Sequence, residues 1–289
     1  MFSWLNKRRH LVAWCYRYVS SFSSSCAEPT KSLAHTCWFR VPEQQMKEYE
    51  VLARGSGFIV RGKQSNMLWA LVSAHVAAPF LFRNYFPQDW LTFVHEKHCK
   101  HSLYWEVDGQ HRQIEAGNVI WKHDMLDIAA FGLEKQRIAN EGDWESLHSR
   151  AVELEPLSDW VGKPVIIQGW QIEGTVGSGQ EKIVASCLKG NIRVQQGIRY
   201  FIETENRNAV QHGMCGGPIL LPENKTTCVG ILEGLVPDSN QLDSTIRNDE
   251  WREFFRSVAG YAAFIEASVL RDFIDQLEKQ QSEGPFRNL

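Results

Sequence analysis

Gly213-Met214-Cys215-Gly216-Gly217-Pro218-Ile219-Leu220 sets a thiol among three glycines and runs straight into an apolar stretch. Glycines let the backbone turn tightly and come close to a ligand. In such a turn the amides of Gly213 and Cys215 can converge beside the sulfur as an oxyanion hole, two donors aimed at a developing negative charge. A Gly-rich turn around a buried, inert cysteine reads the same way when the stretch is taken alone. The rest of the chain separates the two readings.

Outward from this turn, short apolar runs follow one another in both directions. Residues 219–221 and 227–232 flank the turn 222–225 as a hairpin, and 262–265 makes a last strand. Val269, Leu270, Phe273, Ile274 and Leu277 recur at helical spacing across 268–280. Toward the N-terminus, strands are expected at 200–203, 192–194, 182–188 and 164–168. Before them come 127–133, 118–121, 102–107, 89–94, 68–73 and the Gly-Ser-Gly turn opening 55–60. The folded part is expected to begin near Tyr49. Residues 135–153 are polar and read as a connection between two halves, and 236–260 as a surface insertion. Many short strands in two halves predict an all-β chain of two antiparallel six-stranded β-barrels with a C-terminal helix. The expected divisions are 1–40 as a leader ahead of the folded part, 41–150 as an N-terminal barrel with His75 and Asp127, and 151–289 as a C-terminal barrel with the thiol loop and the terminal helix.

Composition excludes several classes. A net charge of −3 gives no basic balance for nucleic acid, and no apolar run reaches the length of a membrane span. Seven cysteines, an odd number without close pairing motifs, argue against a disulfide scaffold and leave room for a free thiol. Residues 1–27 hold Lys7, Arg8, Arg9 and Arg17, no acidic residue and a cluster of serines, the character of a mitochondrial targeting segment. Secretion and a cytoplasmic basic tail are the alternatives. The run His95-Glu96-Lys97-His98-Cys99-Lys100-His101 is too compact for a zinc spacing and reads as a solvated loop. No cofactor and no metal are expected.

The order of four blocks is more specific than any one of them. Gly55-Ser56-Gly57-Phe58-Ile59-Val60, Val72-Ser73-Ala74-His75-Val76, Asp127-Ile128-Ala129 and Gly213 to Pro218 resemble the successive blocks of HtrA-type, trypsin-like proteases. Residues 161–169, 201–204, 229–231 and 260–265 echo the same series, so the resemblance covers about 50–280. It implies two β-barrels with the catalytic groups in the cleft between them. It also implies roles: His75 as general base, Asp127 as the carboxylate that orients it, and Cys215 as nucleophile in place of serine. Asp124 is a rival orienter. Chymotrypsin-like cysteine proteases of picornaviruses carry a comparable GxCGG loop. Their pocket histidine is replaced here by Leu232, and Ala209, Val210, Ile231 and Leu232 suggest an apolar primary pocket, or ordinary core.

Chemically the set is self-consistent. His75 can take the thiol proton, the thiolate can attack a peptide carbonyl, and the imidazolium can return a proton to the leaving amine. The expected function is therefore a cysteine endopeptidase acting on polypeptides. The alternative is a catalytically inactive domain of the same fold, serving as structural subunit or peptide-binding module of a mitochondrial assembly. Oligomeric state is not legible.

Overall fold

The computed structural model describes residues 30–63, 66–83, 85–117, 119–156, 159–173, 182–237 and 249–283. The expected targeting residues 1–27 lie outside these. Strands dominate, arranged as one open antiparallel sheet, one closed antiparallel barrel and a C-terminal helix.

The first sheet contains β1 (Ser32–Phe39), β2 (Glu50–Arg61), β3 (Met67–Val72), β4 (Cys99–Val107), β5 (Gln110–Glu115), β6 (Trp121–Lys122) and β7 (Ala129–Glu134). Its spatial order is β5-β4-β1-β2-β3-β7-β6, and every pair is antiparallel. The folded part thus starts earlier than the expected Tyr49. β1, drawn from the end of the supposed leader, is hydrogen-bonded on both edges, and Leu33, Ala34 and Cys37 are buried in the core.

The second unit contains β8 (Glu153–Leu154), β9 (Pro164–Glu173), β10 (Lys182–Gln196), β11 (Arg199–Thr204), β12 (Pro218–Leu220), β13 (Thr227–Leu235) and β14 (Ala262–Glu266). The order β12-β9-β10-β11-β14-β13 closes on itself because β12 also pairs with β13, giving a six-stranded antiparallel barrel. Closure leaves no free strand edge within the ring. β8 adds to β13 in parallel. The separate strands expected at 182–188 and 192–194 are one long strand, β10, bulged between Ile192 and Val194.

Three other expectations change. Residues 89–94 form no strand: Asp89–Phe93 is a 3₁₀ turn burying only Leu91. The polar link 135–153 contains a helix, α2 (Glu141–Arg150), after the single-turn α1 (Ala74–Ala77). Asn140 caps it, its side-chain oxygen accepting from the Gly142 amide at 2.9 Å. Trp144 and Leu147, three apart and on one face, enter the core beside Leu33, Leu103, Trp105 and Phe131. The described part of 236–260 likewise contains a helix, α3 (Asp249–Ser257). It is anchored through Phe255, with Val258 just past its end, against Phe201 and Ala263.

The last helix, α4 (Ala267–Glu283), matches its expected span. Leu270, Phe273, Ile274 and Leu277 are buried at i, i+3, i+4 and i+7, each contributing about 1.5–3 kcal/mol. Their neighbours are Phe58, Met67, Trp69 and Leu71 of the first sheet together with Leu220, Cys228 and Ile231 of the barrel. The helix thus fastens the two units to each other.

Candidate active site

The register of two neighbouring strands brings His75 and Asp127 together. Val72 at the end of β3 pairs with Ala129 at the start of β7. Continuing that antiparallel count sets Asp127 beside Ala74, one residue from His75. There the Asp127 carboxylate takes two bonds. Oδ1 accepts the His75 backbone N–H at 2.7 Å, and Oδ2 lies 2.5 Å from Nδ1. A carboxylate can only accept, so the shared proton resides on Nδ1 and the Nε2 lone pair faces away from Asp127. Tyr85 stacks on the imidazole, with ring centroids 4.6 Å apart and planes 10° from parallel, and Phe82 meets its edge. Both His75 and Asp127 are buried. Asp124, the rival orienter, is exposed.

The thiol loop comes from the other unit. Gly216 has φ +90°, and a Cβ there would lie 2.2 Å from the Ser56 carbonyl oxygen and 2.8 Å from the Ser73 amide nitrogen. Only glycine allows that approach. It presses the loop against the residue two before His75. Gly55 does the same from the sheet side, where a Cβ would meet Val76 at 2.8 Å and the Cys215 carbonyl at 3.1 Å. Ser56 then staples the loop: its amide donates to the Cys215 carbonyl and its hydroxyl to the Gly213 carbonyl, both at 2.8 Å. The Ser56 hydroxyl in turn accepts from the Trp170 amide at 2.8 Å.

These bonds orient the peptide groups around the sulfur. In a trans peptide the N–H is antiparallel to the C=O. The His212 carbonyl is engaged by the Ile172 amide, and the Met214 carbonyl by the Gly217 amide. The next N–H groups along, those of Gly213 and Cys215, therefore point the opposite way from Ile172 and Gly217. Cys215 itself is in no disulfide and is 3% exposed. Burial pushes the Cys228 thiol up to about 12, and Cys37 is raised by its hydrogen bond to Cys99 and by burial.

The residues suggested for an apolar pocket are distributed differently. Val210 and Leu232 are buried in the barrel core with Met214, and Ile231 in the interface core under α4; Ala209 is partly exposed. What Leu232 offers the loop is its backbone, which accepts from Gly216 and donates to Gly217, both at 2.9 Å.

The His-rich run is not a solvated loop. His98, Cys99 and His101 are buried, and His101 Nδ1 lies 3.1 Å from His35 Nε2 inside the first sheet's core. Among the described residues no group of three or more His, Cys, Asp or Glu is arranged to hold a metal. Likewise none of their helices is long and apolar enough to cross a membrane. Sequence reasoning missed Ser56 as a staple, Tyr85 as the ring on His75, and the ion pair of half-buried Arg199 with buried Glu233. Ser56 had a signal in its two flanking glycines; the others had none.

No protein-family profile matches this chain, and a search of curated proteins finds no relative.

Proposed function

We infer that this chain is a trypsin-like endopeptidase of double-barrel type that uses Cys215 as nucleophile, His75 as base and Asp127 as orienter. The observation that carries the reading is the two-point clasp of Asp127 on His75 beside a thiol loop pressed onto Ser73. Separate units of the fold supply the two halves. In the proposed reaction the Cys215 proton passes to His75 Nε2 and the thiolate adds to a peptide carbonyl. The oxyanion is received by the amides of Gly213 and Cys215. The amine then leaves with the proton from His75, and water, deprotonated by the same ring, hydrolyses the thioester and frees the sulfur. Asp127 keeps the ring in the productive tautomer throughout. The substrate is polypeptide, and no cofactor is required.

A second reading is favoured by one observation, the low exposure of both Cys215 and His75, at 3% and 4%. A site closed to substrate would leave a silent domain that binds peptides or partners through the same fold.

Two measurements on the full chain decide between them. Iodoacetamide labelling resolved by peptide mass spectrometry should modify Cys215 faster than Cys187 near neutral pH, and His75→Ala should slow it by about tenfold or more. Incubation with a peptide library should release new N-termini, and Cys215→Ala should abolish them. Slow alkylation without cleavage supports the silent domain and refutes the enzyme.

A further inference from the structure

Tyr85 returns to His75 through a series of tight turns. The Ala78 amide closes α1 onto the Ala74 carbonyl at 2.8 Å, Leu81 donates to Ala78 at 2.9 Å, and Phe82 donates to Pro79 at 3.0 Å. Tyr85 and Phe86 then both donate to the Phe82 carbonyl, at 2.9 and 3.2 Å. Each bond folds the chain back toward α1. The Tyr85 side chain is buried and held from behind by a cluster containing Cys37, Val76, Phe86 and Leu91. Its ring lies flat on the imidazole, with 4.6 Å between centroids and 10° between planes. Phe82 closes the arrangement edge-on, 6.3 Å from His75 and 5.9 Å from Tyr85.

Packing of that cluster calls only for an apolar side chain at this position. The parallel contact with His75 adds two properties. The last torsion of a histidine side chain is broad and two-fold, so its ring plane is soft. Asp127 fixes the Nδ1 end, and the Tyr85 face fixes the plane. A proton on Nε2 would also turn the imidazole into a cation lying over an aromatic face. The separation is inside the roughly 6 Å reach of cation–π attraction, and both rings are buried, where that attraction is strongest. It acts on the protonated ring more than on the neutral one, so it favours proton transfer rather than the resting state.

Other titratable and charged groups near the imidazole come from several elements. Asp127 lies ahead of β7, and Cys215 is in the loop that Gly55 presses against Val76. His35 of β1 is kept neutral by burial and His101, and Arg199 of β11, within electrostatic reach of Asp127 and Tyr85, is paired with Glu233. All of these stay in place when residue 85 is replaced, so a difference between variants reports the ring.

We propose that Tyr85 is a positioning residue for the thiol–imidazole couple: its face fixes the plane of His75 and stabilises the imidazolium formed when Cys215 gives up its proton. The inference rests on the thiol-protease reading above. In that step the Cys215 proton moves to His75 Nε2, and the sulfur keeps the electron pair as thiolate.

One measurement does not depend on the thiol. In the Cys215→Ala background the His75 imidazole is titrated by NMR, its signal identified by its loss in His75→Ala. Tyr85→Leu should move the His75 midpoint down by about one pH unit, a tenfold weaker hold on the proton. Tyr85→Phe, which keeps the face, should stay near the parent. A leucine that merely loosened the packing would admit water, which favours the cation and moves the midpoint up. The companion measurement is iodoacetamide labelling of the full chain near neutral pH. Tyr85→Leu should slow Cys215 by up to about tenfold, Tyr85→Phe should label like wild type, and Cys187 should be indifferent. Cys37, buried in the cluster behind Tyr85, should stay unlabelled in every variant. Should Tyr85→Leu expose Cys37 or misfold, Tyr85→Met fills the slot with a flexible apolar chain and carries the same expectations. A midpoint that stays or rises without the ring, or a Tyr85→Phe shift as large as that of Tyr85→Leu, overturns the role of Tyr85 and leaves the thiol-protease reading standing. A midpoint that falls as expected while wild-type Cys215 labels no faster than Cys187 overturns that reading, and the coupling proposed here with it.

Discussion

Lowering the pH should loosen this protein well above the range where carboxylates titrate, because two neutral histidines are sealed in the first sheet. His101 is 1% exposed and shares a hydrogen bond with His35, and both rings pack on Phe131. Burial, with the Lys122 charge nearby, lowers His101 from 6.5 to about 4. His35 is likewise pushed well down by burial, His101 and His75. Above pH 6.5 both rings are neutral in the folded and unfolded chain, and they add no pH dependence. Between 6.5 and about 4 the unfolded chain takes up protons that the folded one refuses, so stability falls as pH falls. For His101 alone the slope is about 1.4 kcal/mol per pH unit, and the full loss is about 3 kcal/mol. His35 adds to it in the same direction. Against a typical total of about 5–15 kcal/mol this is a large share.

Urea unfolding followed by the fluorescence of the 11 tryptophans measures it. Wild type should lose stability steadily from pH 7 to pH 4.5, and His101→Leu should lose it less steeply by about one proton's worth. His35→Leu/His101→Leu should be flatter still until carboxylates begin to titrate. The slope is the readout, since His101→Leu also removes the partner of His35. Equal slopes in wild type and both variants would refute the argument.

Gly216→Ala should cost at least about 2 kcal/mol by chemical denaturation and slow Cys215 labelling, because its Cβ would fall 2.2 Å from a backbone carbonyl at φ +90°. Leu270→Ala, at the fully buried start of the α4 stripe, should cost about 2–5 kcal/mol and lower the thermal midpoint. Asn140→Ala should cost about 1 kcal/mol in the same assay, by uncapping α2. Residues 1–29, fused ahead of a fluorescent protein, should direct it to mitochondria; cytoplasmic fluorescence would refute the targeting expectation.

Alternation and turn chemistry along the chain were enough to mark most strands, the α4 stripe and the hairpin after Pro218, because period and turn residues are local properties. The order of His75, Asp127 and Cys215 was also legible, as a pattern of residue types with a known chemical use. Helix α2 was not: it carries a polar, charged surface and holds on through Trp144 and Leu147, too few to set a period, whereas α3 did carry one, Trp251, Phe254, Phe255 and Val258 at helical spacing, inside a stretch whose charge made it read as an insertion. β1 was hidden by the basic, serine-rich run before it, though its burial comes from strands distant in the chain. The pairing of Asp127 rather than Asp124 with His75 depended on the register between β3 and β7, which no local pattern in either segment specifies. Arg199 and Glu233 meet only because a bulge in β13 turns a carboxylate inward. Residue types and local periods are written in the chain, whereas contacts between distant segments exist only after barrel closure and strand register have set their distances.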